Sequence, residues 1–96
     1  MRPSIALQAH RVAVREIALR HRVRDVRVFG SALHGADAEG SDLDLLVDPL
    51  PGTTLFDLGG LRVELEELLG VSVDVLTPGD LPTRFRAQVL AEALPV

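Results

Sequence analysis

The chain has 96 residues with ten Arg, no Lys, no Cys and fourteen acids, for a formal net charge of −4. A chain of that length supports one modest core, so residues 1–96 are expected to form a single domain without a substrate-binding lobe. The lack of Cys excludes a disulfide framework and a thiolate metal site and fits a reducing, cytoplasmic setting, while no apolar run approaches the ~20 residues of a membrane span and MRPSIALQAHRV has no signal-peptide character.

Ser4 is placed to cap a helix running to about His21, with Ile5, Val12, Ala13 and Ile17 as its apolar face. DVRVF, residues 25–29, alternates and is β-branched, which predicts a first strand that Gly30-Ser31 ends abruptly. ALHGADAEG predicts one helical turn followed by a loop broken at Gly35 and Gly40. SDLDLLVD, residues 41–48, is the second strand, closed by Pro49 and Pro51. Thr54, with Asp57 in the first turn, opens a helix that Gly70 terminates. Its expected buried stripe is Leu55, Leu58, Leu61, Leu65, Leu68 and Leu69, and the Gly59-Gly60 pair within it predicts a kink or a close contact. VSVDVLT, residues 71–77, alternates again as a third strand, Pro78-Gly79 turns the chain, and Asp80 is placed to cap a last helix burying Leu81, Phe85, Val89 and Leu90. The helical crossover between strands 2 and 3 requires parallel pairing, whereas strands 1 and 2 have only a compact link. The expected fold class is therefore α+β (α/β), a small mixed sheet with helices packed on one face.

The charge is unevenly spread. Residues 1–27 carry seven Arg against Glu16 and Asp25, a net +5, and residues 28–96 carry three Arg against twelve acids, a net −9. An acidic second half attracts metal cations rather than nucleic acid. Side chains alternate across a strand, so Leu43, Leu45 and Val47 share one face and Asp42, Asp44, Leu46 and Asp48 the other. The same parity sets Asp74 opposite Val71, Val73 and Val75. Three carboxylates meet if strands 2 and 3 share that face. Gathered acids repel one another unless a cation compensates, and Mg²⁺ with its preference for carboxylate oxygen is the economical choice. Two carboxylates on one strand and a third across the ladder suit two metal ions. A solvated polar sheet face accounts for the strands alone equally well. Gly30-Ser31 favours the metal reading, because a glycine, a hydroxyl and free backbone N–H groups beside the acids make a seat for phosphate.

Gly30-Ser31, Asp42-Leu43-Asp44 and Asp74 in VSVDVLTP resemble the signature of the polymerase-β-type nucleotidyltransferases. More narrowly, the chain from about residue 23 to the ending AEALPV resembles the minimal nucleotidyltransferases (MNT), antitoxins to HEPN-domain toxins. That resemblance implies that Gly30 and Ser31 hold the phosphates of ATP, that Asp42 and Asp44 bind Mg²⁺, and that Asp74 is the third metal ligand and base. ATP would lose pyrophosphate and its AMP would pass to a tyrosine hydroxyl of a HEPN toxin, silencing an RNase; phosphoryl chemistry of this kind asks the protein mainly to position and neutralise. Relatives commonly read Gly-Ser-x-Ala-Arg-Gly, and here His34 stands where that arginine would contact nucleotide. An imidazole carries only a partial positive charge near neutral pH. A noncatalytic antitoxin acting by binding is the competing expectation.

The remaining candidates have blander accounts. Asp48 is expected as a solvent-exposed strand end, His10 and His21 as part of a solvated face, and Glu64, Glu66 and Glu67 as an ordinary wet helix surface. The Arg cluster of residues 11–27 lacks interleaved aromatics, which argues against direct nucleic-acid binding. No strong dimerisation stripe is present, and a homo-oligomer stays open.

Overall fold

In chain order the computed structural model, which describes residues 1–96, runs α1 (Pro3–Ala9), α2 (Arg11–Arg20), β1 (Val23–Phe29), a 3-10 turn (Gly30–Ala32), β2 (Leu43–Pro49), α3 (Leu55–Leu69), β3 (Val73–Leu76), a second 3-10 turn (Pro78–Asp80), α4 (Thr83–Glu92) and β4 (Leu94–Pro95). The sheet order is β3-β2-β1-β4, with β2 and β3 parallel and both other pairings antiparallel. The α3 crossover forces the parallel pair, because a tight turn can reverse the chain but cannot return it in the same direction. β2 is central and almost wholly apolar: Leu43, Leu45, Leu46 and Val47 are fully buried. On one face of the sheet Leu43, Leu45, Val47, Val28 and Val73 join Ala6, Leu7, Val14, Ile17, Ala18, Leu61, Leu65 and Leu69 in a single core. The small mixed sheet with helices on one face is the fold expected from the sequence.

The helices differ from expectation in phase and in their ends. The N-terminal helix is two helices, broken at His10 (φ −129°, ψ 24°). Ser4 lies inside α1 and caps nothing, because Pro3 occupies the first turn and Arg2 the cap position. The buried face is Ala6, Leu7, Val14, Ile17 and Ala18; of the four residues expected there, Ile5 and Val12 are exposed. α3 follows its local signals closely. Thr54 and Asp57 form a reciprocal capping box, and Gly70 closes the helix in the left-handed region at φ +68°. Its inner stripe is Leu61, Leu65 and Leu69, and Leu55 is exposed. The glycine pair gives the close contact, since a methyl on Gly60 would press on the His21 ring at 3.2 Å.

Asp80 caps the Pro78–Asp80 turn through Thr77 and not the last helix, which starts after Pro82 without a side-chain cap. α4 has no buried residue, and Phe85 and Leu90 are exposed. Leu81 is buried, but outside the main core, as is Leu46 on the second face of the sheet, beside which the Pro78–Asp80 turn packs. β4 gave no signal in the sequence; it pairs Leu94 and Pro95 with Val28 and Arg27.

Candidate functional site

β2 and β3 set Asp44 and Asp74 side by side: they are register partners in the parallel ladder, so both carboxylates leave the sheet on the same face. Across β2 on the other side, Phe29 is the register partner of Asp44, which brings the end of β1 and the turn after it to the same spot. Gly30 opens that turn at φ +74°, a left-handed backbone conformation that any other residue would resist. It is pressed against the acid, since a methyl there would overlap Asp44 Oδ2. Glycine is thus required twice over, for its backbone and for the carboxylate lying on it.

Asp42 precedes β2 and is exposed, Asp74 is exposed, and Asp44 is half-buried between them. Burial pushes the Asp44 carboxyl up to about 6 from the usual 3.8, reinforced by the charges of Asp74 and Asp42 and by a hydrogen bond with Asp74. Every influence acting on Asp44 raises it, and no basic group offsets them. The protein itself therefore leaves an uncompensated negative cluster, the donor chemistry that suits a hard divalent cation. No three acidic or histidine side chains are placed to hold a metal ion by themselves, so water and substrate oxygens would have to supply much of the coordination of an ion held there.

Ser31 follows Gly30 within the 3-10 turn, whose first carbonyl accepts from Leu33 N–H at 3.2 Å. His34 is exposed, with Nε2 3.7 Å from Glu92 Oε2 on α4. The structure thus brings together Gly30, Asp44 and Asp74, with Asp42 and Ser31 at the margins, and turns His34 toward the last helix.

Three expectations of ordinary exposure are corrected. Asp48 pairs with Arg27 at 3.0 Å. His21 is partly buried against Gly60, and its Nε2 lies 3.0 Å from Glu64 Oε1, while Arg20 reaches Glu64 Oε2 at 2.6 Å. Those partners hold the Glu64 carboxyl below its usual range, the His21 hydrogen bond first. Glu66 Oε2 accepts the Val73 backbone N–H at 3.0 Å. None of these groups belongs to the acid cluster: Arg27–Asp48 joins β1 to β2, and the others tie the end of α2 and the edge strand β3 to α3. Asp37 gave no signal beyond being, with Glu39, one of two acids in a loop of small residues.

Comparison with known proteins finds relatives along most of the chain. The nucleotidyltransferase domain family matches residues 9–96. Among curated proteins, a candidate protein adenylyltransferase of Methanocaldococcus jannaschii, MJ0435, is 41% identical over 80 residues, 83% of this chain and 86% of the relative. Protein adenylyltransferase MntA of Thermococcus cleftensis is 38% identical over 88 residues, 92% of this chain and 86% of the relative. Among solved structures, one described as a candidate minimal nucleotidyltransferase superposes with a TM-score of 0.87 at 47% identity, covering 97% of this chain and 95% of that one. A crystal structure of a toxin–antitoxin with AMP-PNP shares the fold at a TM-score of 0.69 and 20% identity, covering 83% of this chain and 66% of that one.

Proposed function

This chain belongs to the nucleotidyltransferase domain family, and from that premise we propose that it is a Mg²⁺-dependent protein adenylyltransferase that moves AMP from ATP to a tyrosine hydroxyl of a cognate HEPN toxin, acting in the cytoplasm as its antitoxin. The observation that carries the reading is the registry of Asp44 with Asp74 beside the bare backbone of Gly30. Relatives named as protein adenylyltransferases support the transfer of AMP, and the toxin–antitoxin structure with AMP-PNP supports the pairing and the donor.

Asp42, Asp44 and Asp74 are the residues that would hold Mg²⁺, which when bound neutralises their charge and that of the triphosphate. The rest falls to the chain. Gly30 lets the donor's phosphates approach the backbone without a side chain in the way, and Ser31 offers them a hydroxyl and an N–H. Asp74, exposed at the rim, receives the proton of the attacking hydroxyl. The acceptor oxygen forms its bond to the α-phosphorus as the α–β bridge breaks and pyrophosphate leaves, an exchange governed by positioning. In this reading the acceptor contributes its own binding surface, which favours a protein over a small molecule.

Intact mass spectrometry tests this directly. The HEPN-like partner is incubated with this protein, Mg²⁺ and ATP, and Asp44→Asn is run in parallel. Wild type alone should add one or more AMP units. A stable complex with both versions and no added mass would replace transfer by inhibition through binding, with His34 the first residue to examine.

A further inference from the structure

The segment between the Gly30–Ala32 turn and β2 has no regular structure, yet it holds the one charged residue buried in the protein. Asp37 is 5% exposed. Its Oδ2 accepts the Ser4 backbone N–H at 2.8 Å, giving the first turn of α1 an acceptor that no neighbouring side chain provides. Its Oδ1 accepts from the Arg2 guanidinium at 3.3 Å, and the same guanidinium donates to the backbone carbonyls of Asp37 and Gly35, each at 3.0 Å. The Ser4 N–H foremost, with help from Arg2, holds the Asp37 carboxyl below its usual range, against the opposing effect of burial.

This clamp reaches the site through one residue. Ala36 N–H donates to the Ser31 carbonyl at 2.9 Å, and Ala38 N–H donates to Ser41 Oγ at 3.0 Å immediately before Asp42. Fixing Gly35 and Asp37 fixes Ala36 between them, and Ala36 in turn sets the Ser31–Ala32 peptide plane. We propose that Asp37, clamped by Arg2 and Ser4, is a positioning residue for the nucleotide: it holds the loop so that Ser31 presents its polar groups to the phosphates. Apart from the exposed contacts of Glu39 with the Met1 amine and of His34 with Glu92, the loop is otherwise tied to itself by short-range bonds that a flexible segment makes and breaks easily. The inference rests on Gly30 and Ser31 being the phosphate seat.

Calorimetric titration with Mg²⁺ and ATP tests it, on wild type, Asp37→Ala, Asp37→Asn, Arg2→Ala and Ser31→Ala, each checked for a cooperative thermal transition above the working temperature. Displacement of a positioned group by about 1 Å costs up to ~100-fold, so Asp37→Ala and Arg2→Ala are each expected to weaken binding about tenfold or more. Asp37→Asn, which keeps an acceptor oxygen for Ser4, should recover part of that loss. Hydrogen exchange at the Ala36 amide should speed up in parallel. Should Asp37→Ala fail to fold, Asp37→Asn and Arg2→Ala carry the comparison. Unchanged affinity in the folded clamp variants, with a loss in Ser31→Ala, overturns the clamp and leaves the seat standing. Unchanged affinity in Ser31→Ala as well overturns the seat, and wild type that does not bind ATP overturns both.

Discussion

Removing the charge of Asp44 should make the metal-free protein more stable while destroying its activity. In the folded chain this carboxyl titrates near 6 and in the unfolded chain near 3.8. At about 1.36 kcal/mol per pH unit that gap is an upper bound of ~3 kcal/mol against folding at neutral pH, and because the group is only half-buried we halve it for solvent screening, to ~1.5 kcal/mol. The sign follows from proton counts. Between these values the folded chain binds more protons than the unfolded one, so stability falls as pH rises from about 3.8 and the full penalty is felt above about 6. Asp44→Asn keeps the shape and never ionises. For a domain of this size its midpoint at pH 7.5 in EDTA should exceed that of wild type by roughly 6–12 °C, and the gap should shrink by more than half by pH 4.5. Asp37, Asp57 and Glu64 behave oppositely, with carboxyls held low in the fold, so their contribution is lost only as pH falls through those lowered values. Comparing the two proteins cancels it. The assay is thermal unfolding by circular dichroism across pH. A midpoint for Asp44→Asn at or below wild type at pH 7.5, or a gap that does not depend on pH, would refute the reasoning.

Gly30→Ala should destabilise by at least ~1–2 kcal/mol from the left-handed backbone alone, with the overlap on Asp44 adding to it, and should also abolish transfer; urea unfolding and the mass assay read the two effects. Glu66→Ala leaves the Val73 N–H without its acceptor and should cost about 1–3 kcal/mol, whereas Glu66→Gln, whose amide oxygen still accepts, should stay close to wild type in the same unfolding experiment.

What could be read in advance was local or periodic. Thr54, Asp57 and Gly70 mark the ends of α3 because capping is settled within a single turn. The shared face of Asp44 and Asp74 follows from a period of two on each strand and from the crossover that makes them parallel. What could not be read depends on partners far away in the chain. The break at His10 leaves no trace, since Ala6, Leu7, Val14, Ile17 and Ala18 keep helical spacing across it. The acceptor for Ser4 comes from Asp37 and the partner of His21 from Glu64, so a nearby serine and a histidine among arginines suggested the wrong roles. The α4 sequence has the spacing of a core helix, yet its apolar residues lie largely in the open, because hydrophobic spacing says which residues share a side but not whether anything covers it.

Both borders of the sheet are poor templates for further strands. On one side β4 is two residues long and ends in Pro95, which has no N–H to donate. On the other, β3 is four residues long, the Glu66 carboxylate occupies its Val73 amide, and Asp74 adds a charge. An extended peptide gains little by lengthening the sheet at these positions. In the proposed reaction, an acceptor protein is therefore expected to come in folded and dock through its side chains, delivering its hydroxyl to the acids from above the sheet.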